Sequence, residues 1–415
     1  MTPSLLTRLI NETPVVVTGC GVATAAGHSV AALWQTALSG PAPVVRREFD
    51  IGGQSRAFAV CAAPETCVGQ PRLRRFGRLD RSVQLAWVAA TQACAAAGLE
   101  PATDPARIGL FLGSSRGPIG KVQEGFVRAA HRRYPPTLSA DCTMASLSGA
   151  LAQALEIHGP CCTLSATCAS AAFAIGLAAE QILLGKANTM LAGGTEAPLV
   201  PMLLAQLEAA GVVGSHPDPA RSCRPFDATR NGFCLGEGSA FLVLESAAAA
   251  ARRGAVPLAR LSGWGTWLDN SGRAGVGIAG TGLVAAANQA LELAGLTPDA
   301  IDYINAHGTG TRLNDAAEAR GVGALFGRRA ALVPCTSTKP VTGHCLGATP
   351  AMEAVICLEA IRHQTIPPTL NCAQPDPDCA INAQPSAARR TPLRHVLSNS
   401  LGFWGNHAAL IFSRL

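Results

Sequence analysis

The chain has 415 residues, of which 48% are hydrophobic and 14% charged, and its formal net charge is +6. This composition excludes an intrinsically disordered chain, which would combine low hydrophobicity with high charge. No apolar run reaches the ~20 residues that cross a bilayer, and residues 1–14 lack the apolar core of a signal peptide. Fifteen cysteines spread over this length fit a reducing compartment rather than a disulfide scaffold. The sequence therefore predicts a cytoplasmic globular protein.

Short β-branched or apolar runs alternate along the chain with Ala- and Leu-rich helical patterns. This alternation favours an α/β fold whose largely parallel sheet is covered by helices on both faces. The predicted strands are Pro14–Thr18, Arg107–Leu112, Cys162–Ala166, Thr189–Ala192, Ser239–Leu244, Leu258–Trp267, Ile301–Asn305, Val396–Ser400 and Ala408–Phe412. The predicted helices are Arg81–Ala97, Met144–Ile157, Ala169–Leu184, Gly282–Ala294, Asp315–Phe326 and Ala351–Arg362.

A weak internal repeat lies on either side of a seam at Ala247–Pro257. In the first half, Cys162-Thr-Leu-Ser leads to Cys168 and a long Ala-rich helix. In the second half, Cys335-Thr-Ser-Thr leads to His344 and another apolar helix. Both halves predict a strand, a tight turn, a reactive side chain and a helix. Duplicated halves would bring the two turns face to face at a shared centre.

Four side chains near these turns are candidates for chemistry. Cys168 precedes a helix, and the positive end of the peptide dipoles there would favour its thiolate. His307 lies among glycines after a predicted strand, where backbone and substrate can approach closely. Lys339 is a rare lysine in an arginine-rich chain, five residues before His344, which indicates a need for a compact ammonium. The alternatives are a buried structural cysteine and structural histidines.

Two other patterns point elsewhere only superficially. A turn at Gly19-Cys-Gly21 after the first strand resembles a dinucleotide-binding loop, but the third glycine is missing. The pair Cys161-Cys162 and the spacing Cys372…Cys379 lack a CxxC partner or a nearby histidine, so they do not predict a zinc site.

An ordered series of motifs covers nearly the whole chain. The runs are Val15-Val-Val-Thr-Gly-Cys-Gly21, Gly193-Gly-Thr-Glu196, Arg224-Pro-Phe-Asp227, Asn231-Gly-Phe-Cys-Leu-Gly-Glu-Gly238 and Ser398-Asn-Ser-Leu-Gly-Phe403. With the cysteine and both histidines in register, the chain resembles the β-ketoacyl-[acyl-carrier-protein] synthases of the elongating ketoacyl synthase II type, within the thiolase superfamily. The resemblance implies a thiolase-like α/β fold of two pseudo-symmetric βαβαβαββ halves in a five-layered α-β-α-β-α arrangement. Residues 1–254 would form the half with the cysteine, and residues 255–415 the half with the histidines.

The resemblance also implies a role for each matching residue. Cys168 would take an acyl chain from the phosphopantetheine of a carrier protein, with the amides of Cys168 and Phe403 as the oxyanion hole. His307 and His344 would donate hydrogen bonds to the malonyl thioester carbonyl and stabilise the enolate formed on decarboxylation. That enolate would attack the Cys168 thioester and give a 3-oxoacyl chain two carbons longer.

Supporting residues follow from the same resemblance. Lys339 would pair with Glu353 and hold His344 in place. Asp315, Glu318 and Asn399 match further supporting positions. The reaction would need no metal and no cofactor, although relatives sometimes hold a monovalent cation near residues matching Asn305, Glu353 and Asn399.

The sequence departs from the family pattern around the expected acyl pocket, to which Phe233 is also assigned. Trp404 occupies a place normally held by glycine in a gating loop and should stiffen or reshape that loop. Arg116 replaces an aliphatic residue that lines the acyl tunnel of relatives, where an unpaired charge would be costly. Either Arg116 turns outward, or the acyl substrate is short, polar or unusual.

Charge predicts the partner. Acyl carrier proteins are acidic, and an arginine cluster before the helix Arg81–Ala97 would dock one through Arg74, Arg75 and Arg78. No pattern indicates a nucleic-acid or membrane surface. The resemblance implies a homodimer built on central strands, with a heterodimer of related subunits also possible. The alternatives are a chain-length factor, which usually lacks the cysteine, and a degradative thiolase, whose second cysteine is missing from Ser398–His407.

Overall fold

The computed structural model describes residues 4–67, 78–99, 105–130, 134–270, 277–383 and 387–415. In chain order the elements are α1 (Leu5–Glu12), β1 (Val15–Thr24), α2 (Val30–Ser39), β2 (Val45–Ile51), β3 (Gln54–Cys61), α3 (Arg81–Ala97), β4 (Ile108–Gly113), α4 (Ile119–Ala130), α5 (Leu138–Asp141), α6 (Ala145–Ala154), β5 (Cys161–Leu164), α7 (Ser170–Leu183), β6 (Thr189–Glu196), α8 (Pro201–Ala209), β7 (Leu235–Gly236), β8 (Gly238–Ser246), α9 (Ala247–Arg252), β9 (Ala259–Leu268), α10 (Thr281–Ala294), β10 (Tyr303–Asn305), α11 (Arg312–Phe326), β11 (Cys335–Thr336), α12 (Lys339–Thr342), α13 (Thr349–His363), β12 (Thr365–Ile366), β13 (Arg389–Arg390), β14 (His395–Leu401) and β15 (Asn406–Ser413).

Ten of these strands form one sheet in the order β11-β10-β14-β15-β9-β1-β8-β6-β4-β5. From its outer edge to the centre, the first half has the strand order β5-β4-β6-β8-β1 and the second half has the equivalent order β11-β10-β14-β15-β9. The halves join where residues 15–17 of β1 pair antiparallel with residues 259–261 of β9. Of the nine neighbouring pairs in this described sheet, the five central ones are antiparallel and the four outer ones parallel. The expectation of a largely parallel sheet is therefore wrong. Strand β1 is buried along its whole length, so an antiparallel central strand has the continuous apolar pattern of a parallel one.

The helices divide the sheet into layers. Helices α7 and α13 pack against each other and contact strands of both halves, so they lie between the half-sheets. Helix α3 covers the outer face of the first half, and α10 covers that of the second. This arrangement confirms the five-layered thiolase-like fold. Since α13 is buried on every side from residue 349 to residue 361, its sequence is apolar almost all round.

The outer helices rest on paired glycines of the two strands that join the halves. A Cβ atom at Gly21 of β1 would overlap the carbonyl oxygen of Ala89 in α3, and one at Gly265 of β9 would overlap that of Ala286 in α10. The predicted turn at Gly19–Gly21 is therefore wrong, because this segment is a strand. Its glycines allow a helix to approach the backbone closely, and they do not form a nucleotide-binding loop.

Several element boundaries follow from local chemistry. Helix α3 has the predicted bounds, because Asp80 caps its first turn through Ser82 N–H and Gly98 ends it in the left-handed conformation. The seam at Ala247–Pro257 contains the short helix α9. Sequence reasoning did not find α1, α2, α4, α8 or the hairpin of β2 and β3. Every helix in the described ranges is too short or too polar to span a bilayer.

Candidate active site

Cys168 lies in a tight turn between β5 and α7. Thr167 has a left-handed backbone (φ 51°), which costs energy in a β-branched residue. Its hydroxyl donates a hydrogen bond of 3.2 Å to the carbonyl of Phe403, and Ser170 Oγ donates one of 2.6 Å to the carbonyl of Thr167. These bonds hold the strained turn, which presents Cys168 at the start of a buried helix.

The fold brings the predicted cysteine and both histidines to one point. The Sγ of Cys168 and a ring nitrogen each of His307 and His344 lie within 4.8 Å of one another. The two imidazole rings have centroids 5.3 Å apart and meet edge to face at 81°. All three residues are buried, with exposures of 6% or less. The internal repeat is thus realised as two turns that face each other.

The protonation state of Cys168 differs from the expectation. Burial raises the pKa of the Cys168 thiol to about 11, although the nearby charges of Lys339 and Arg116 lower it. Helix α7 begins only at Ser170, and desolvation is the largest influence on the pKa of this thiol. The expected thiolate is therefore wrong for the free protein, and the proton must leave during the reaction.

The backbone on either side of His307 is held by one carboxylate. Its backbone N–H and that of Gly308 donate hydrogen bonds of 2.7 Å to the two carboxylate oxygens of Glu318. Burial raises the pKa of Glu318 to about 7, while these two amide donors lower it. Glu318 therefore supports the loop after β10 that carries the first imidazole.

Lys339 forms the buried charge of the site. Its Nζ lies 2.6 Å from Glu353 Oε1, and both side chains are fully buried. The same ammonium donates to the carbonyl of His307 and lies 3.4 Å from the Nδ1 of that ring. The pairing with Glu353 agrees with the expectation, but the expectation that Lys339 holds His344 is wrong. Thirty-two residues of sequence separate Lys339 from His307, so only the fold reveals this contact.

His344 has different neighbours. Its Nδ1 lies 3.2 Å from Thr349 Oγ1, and the ring of Phe233 packs edge to face against it with centroids 4.8 Å apart. Burial, followed by the charge of Lys339, lowers the pKa of both His307 and His344 well below the usual value. Both imidazoles are neutral at physiological pH. Each can therefore donate one N–H.

An ammonium cannot accept a hydrogen bond, so the contact with Lys339 makes His307 Nδ1 the acceptor and leaves the ring proton on Nε2.

Within the described ranges, the cluster of Cys168, His307 and His344 is also the one whose atoms could ligate a metal. A zinc ion would require the thiolate and would lie near this ammonium, and both conditions oppose it.

Two further supporting residues are buried behind the site. Asp315 accepts hydrogen bonds from the backbone N–H of Phe226 (2.9 Å) and of Gly310 (3.1 Å), and burial raises its pKa. It therefore fixes the loop after His307. Asn399 lies in β14 with both amide atoms buried and without a partner.

Three buried side-chain oxygens, at the positions that the resemblance associates with a cation, also have no hydrogen-bond partner: Asn305 Oδ1, Glu353 Oε2 and Asn399 Oδ1. Strands β10 and β14 are neighbours, and Asn305 is paired with the residue before Asn399. A carboxylate and two amide oxygens are the ligands that hard cations prefer. The donor set therefore fits a small hard cation.

The loop after β14 closes over the sulfur. The backbone N–H of Phe403 hydrogen-bonds to Cys168 and lowers its pKa, which places this amide where an oxyanion hole needs it. Trp404 adopts a left-handed conformation (φ 60°, ψ 24°) and is 65% exposed at the cavity mouth. The departure from glycine thus puts an indole at the entrance.

A cavity of about 300 Å³ opens onto these groups. Its wall includes Arg116 and Phe233, the two residues that the resemblance assigns to an acyl pocket, and Arg116 is also exposed to solvent. Cys168, His307, His344, Phe403 and Trp404 also line it.

Of the three arginines expected to dock a carrier protein, only Arg78 lies within the described residues. Arg74 and Arg75 lie outside the described residues, and Arg78 is exposed just before α3. Arg81 from the same cluster is bound in ion pairs of 3.0 Å with Glu65 and with Glu237, so it anchors the start of α3.

Sequence reasoning missed four contributors to the site. Thr349, the hydroxyl partner of His344, lies at the start of α13, five residues after that histidine. Glu196 holds the loop that carries Arg116, and it closes a family motif that could have identified it. Thr309 and Thr311 line the cavity, and only their proximity to His307 in sequence pointed to this.

Known proteins share both the sequence and the fold. Residues 12–250 match the profile of the β-ketoacyl synthase N-terminal domain, and residues 258–373 match that of the C-terminal domain. A putative polyketide beta-ketoacyl synthase 1 from Streptomyces halstedii is 36% identical, with 96% of this chain and 97% of that protein covered. The 3-oxoacyl-[acyl-carrier-protein] synthase 2 of Coxiella burnetii is 33% identical, with 97% and 98% covered.

Solved structures agree. A type II polyketide synthase acyl-carrier protein in complex with its ketosynthase superposes with a TM-score of 0.88 at 28% identity, over 97% of this chain and 99% of that chain. The ishigamide ketosynthase/chain length factor superposes with a TM-score of 0.87 at 29% identity, over 97% and 99%. The chain belongs to the β-ketoacyl synthase family.

Proposed function

We propose that the protein catalyses decarboxylative condensation of an acyl chain on Cys168 with malonyl-[acyl-carrier-protein], in fatty acid or related polyketide or aryl polyene synthesis. The products are 3-oxoacyl-[acyl-carrier-protein], CO2 and the free carrier protein from the loading step. The observation that carries this proposal is the convergence of one sulfur and two neutral imidazoles within 4.8 Å.

In the first step, the sulfur of Cys168 attacks the thioester carbonyl of the acyl carrier. The N–H groups of Cys168 and Phe403 stabilise the oxyanion, the bond to the carrier sulfur breaks, and the carrier thiol leaves with the proton. Because the pKa of Cys168 is about 11, this proton needs an acceptor during the attack. The departing carrier sulfur takes it up, because Nδ1 of His307 is engaged by Lys339 and Nε2 already carries the ring proton.

In the second step, the malonyl carboxylate leaves as CO2 and its bonding electrons form an enolate. Neutral N–H donors on His307 and His344 stabilise the charge that develops on the thioester oxygen, so no strong base is required. The enolate carbon attacks the acyl carbonyl on Cys168, the carbon–carbon bond forms, the carbon–sulfur bond breaks, and the thiolate takes up one proton.

Mass spectrometry of the intact protein tests both steps. Wild type should gain one acyl group on Cys168 from an acyl carrier and release a 3-oxoacyl carrier when malonyl carrier is added. A Cys168→Ser variant should condense roughly 10³-fold more slowly, because a serine hydroxyl is a poorer nucleophile. Cys161→Ser, on the exposed end of β5, is the matched control and should keep wild-type loading. Full-speed condensation by Cys168→Ser would overturn the proposal.

The histidine variants separate the two steps. His307→Ala and His344→Ala should each lower malonyl decarboxylation by about 10²- to 10³-fold, the effect of removing one oxyanion donor. Loading of Cys168 should fall much less. A chain-length factor, the alternative function, would show neither acyl loading nor condensation on its own.

The acyl carrier and a second ketosynthase subunit are the partners we propose. One solved relative is a complex of a ketosynthase with its acyl-carrier protein, and two others contain a ketosynthase with a chain length factor. Reversal of Arg75 and Arg78 to Glu should raise the KM for carrier-bound substrates and leave small thioesters unaffected. The homodimer and the heterodimer are distinguished by the mass of the protein when it is expressed alone.

The reaction belongs in the cytoplasm, which is supported by cysteines that are all free in the described structure. No organic cofactor enters the proposed steps. A monovalent cation bound by Asn305, Glu353 and Asn399 would satisfy their orphaned oxygens and hold Glu353 in position. Thermal unfolding in KCl or NaCl, compared with a bulky quaternary ammonium chloride at equal ionic strength, tests for this cation.

A further inference from the structure

Arg116 lies in the loop between β4 and α4, and this loop is fixed by its backbone. The N–H groups of Ser115 and Arg116 both donate to Glu196 Oε1, the latter over 3.1 Å. Gly117 has a positive φ of 62°, its N–H donates 3.0 Å to Ser114 Oγ, and a Cβ there would overlap the sulfur of Met144. The position from which the Arg116 side chain extends is therefore set by the fold.

The guanidinium of Arg116 is accessible and unpaired. It lines the same cavity as Cys168, and its charge lowers the pKa of that thiol. In the part of the chain that the structure describes, no carboxylate forms an ion pair with it. By contrast, Arg230 forms an ion pair with the partly exposed Asp376, and Arg253 forms one with the buried Glu245.

Glu196 is the acid that holds this loop. Burial raises its pKa to about 8, while the backbone N–H groups of Ser115 and Arg116 and the charge of Arg116 lower it, and its Oε1 accepts from these backbone donors. The lining of the cavity also includes the apolar side chains of Leu207, Phe233 and Leu346. The cavity thus combines apolar side chains with two arginines that have no ion pair among the described residues, and of these only the charge of Arg116 lowers the pKa of Cys168.

This combination has a consequence for the acyl chain. A plain alkyl chain would displace water from the guanidinium and return no hydrogen bond, which is unfavourable. An oxygen on the chain would accept from a planar group with five N–H donors, and the remaining carbons would contact the apolar side chains.

Resting on the function proposed above, we propose that Arg116 determines acyl specificity by donating hydrogen bonds to an oxygen acceptor on the acyl chain itself. Cys168 therefore prefers chains that carry a ketone or a carboxylate beyond the thioester to plain alkyl chains of the same length. Arg116 acts through binding and takes no part in bond formation.

The test uses small thioesters, which need no carrier docking. N-acetylcysteamine thioesters of hexanoic, 5-oxohexanoic and adipic acid are incubated with the protein, and acylation of Cys168 is followed by intact-protein mass spectrometry. Wild type should load at least one oxygenated chain about tenfold faster than hexanoyl, the effect of one charge-assisted hydrogen bond. The ketone and carboxylate arms show which acceptor is bound.

Arg116→Ile should remove this preference and load hexanoyl at least as fast as wild type does. Arg116→Lys, which keeps the charge and loses the planar donors, should keep only part of the preference. Arg312 is an exposed arginine on the same cavity, and Arg312→Gln should leave the ratio of oxygenated to plain loading unchanged.

Equal loading of all three thioesters by wild type would overturn the inference about Arg116, and so would an equal loss of preference in Arg312→Gln. The proposed function fails in a different way. In that case wild type would form no adduct on Cys168 with any of the three thioesters, or with any acyl carrier.

Discussion

The two turns that carry the reacting groups have the same order of elements but different electrostatic surroundings. In the first half, β5 leads to Cys168 and α7, and burial raises the pKa of the thiol to about 11. In the second half, β11 leads to His344 and α13, and burial together with Lys339 lowers the pKa of the imidazole well below its usual value. Each half therefore holds its reacting group neutral, by shifting the pKa in opposite directions.

The difference shows how a duplicated scaffold is divided between two tasks. The repeat sets the geometry, because both turns meet between the two central helices. A buried cation on one side only, Lys339, sets the charge: it lowers the pKa of Cys168 across the junction and those of both histidines beside it. Removal of this cation is the most direct way to break the comparison.

Lys339→Met should give the largest effect on stability. It would leave Glu353 fully buried without its partner, and breaking a buried ion pair costs ~3–5 kcal/mol of unfolding free energy. Burial raises the pKa of Glu353 to about 7 even beside Lys339, so in the variant the folded state binds a proton more readily than the unfolded state does. The loss should therefore be larger at pH 8 than at pH 5.5, as measured by urea denaturation.

The control for this prediction is Lys339→Met combined with Glu353→Leu, which removes both charges. This double variant should recover most of the lost stability, but it should not recover condensation, because His307 would no longer have a partner on Nδ1. A double variant that is as unstable as the single one would contradict the account of the ion pair.

The alkylation rate of Cys168 should sharpen the first half of the comparison. With a pKa of about 11, the thiolate fraction rises about tenfold for each pH unit between pH 7 and pH 10. The rate with iodoacetamide, followed by peptide mass spectrometry of the Cys168 peptide, should rise in the same way without levelling off. A plateau near pH 8 would mean that the free enzyme holds a thiolate after all.

Trp404→Gly should have a smaller effect, confined to the mouth of the cavity. The side chain is 65% exposed and its backbone is left-handed, so glycine relieves strain and removes little packing. Unfolding free energy should change by less than ~1 kcal/mol. Loading of longer acyl thioesters should rise a few-fold as the entrance widens, whereas Trp404→Phe should behave like wild type. Slower loading of long chains by the glycine variant would contradict this role.

The smallest expected effect concerns the two histidines of the second half, which should not titrate between pH 8 and pH 6. Because the pKa values of His307 and His344 are both well below 6.5, both rings stay neutral as the pH falls from 8 to 6. Malonyl decarboxylation by a Cys168→Ala variant, which isolates this step, should be constant over that range. A one-proton decrease near pH 6.5 would show that one imidazole is solvated and ionises.

Sequence alone predicted the reacting groups better than their states. Cys168, His307 and His344 could be predicted because each lies in a motif after a strand, and Glu353 was matched to Lys339 within one segment. The raised pKa of Cys168 could not be predicted, since it depends on burial by residues from both halves.

Two other features also depended on the third dimension. The contact of Lys339 with His307 joins α12 to the loop after β10, so proximity in sequence favoured His344 instead. The antiparallel centre of the sheet was hidden because a strand buried on both faces has the same apolar run in either direction.

Strand β15 lies in the interior of the sheet, between β14 and β9, although it follows Cys168 by more than two hundred positions. During synthesis on the ribosome, the nascent chain therefore contains its thiol long before the strand that completes the sheet around it. The amide of Phe403, which shares this late segment, arrives at the same stage. An unfinished polypeptide that ends before residue 403 therefore has the sulfur of Cys168 without the Phe403 amide beside it.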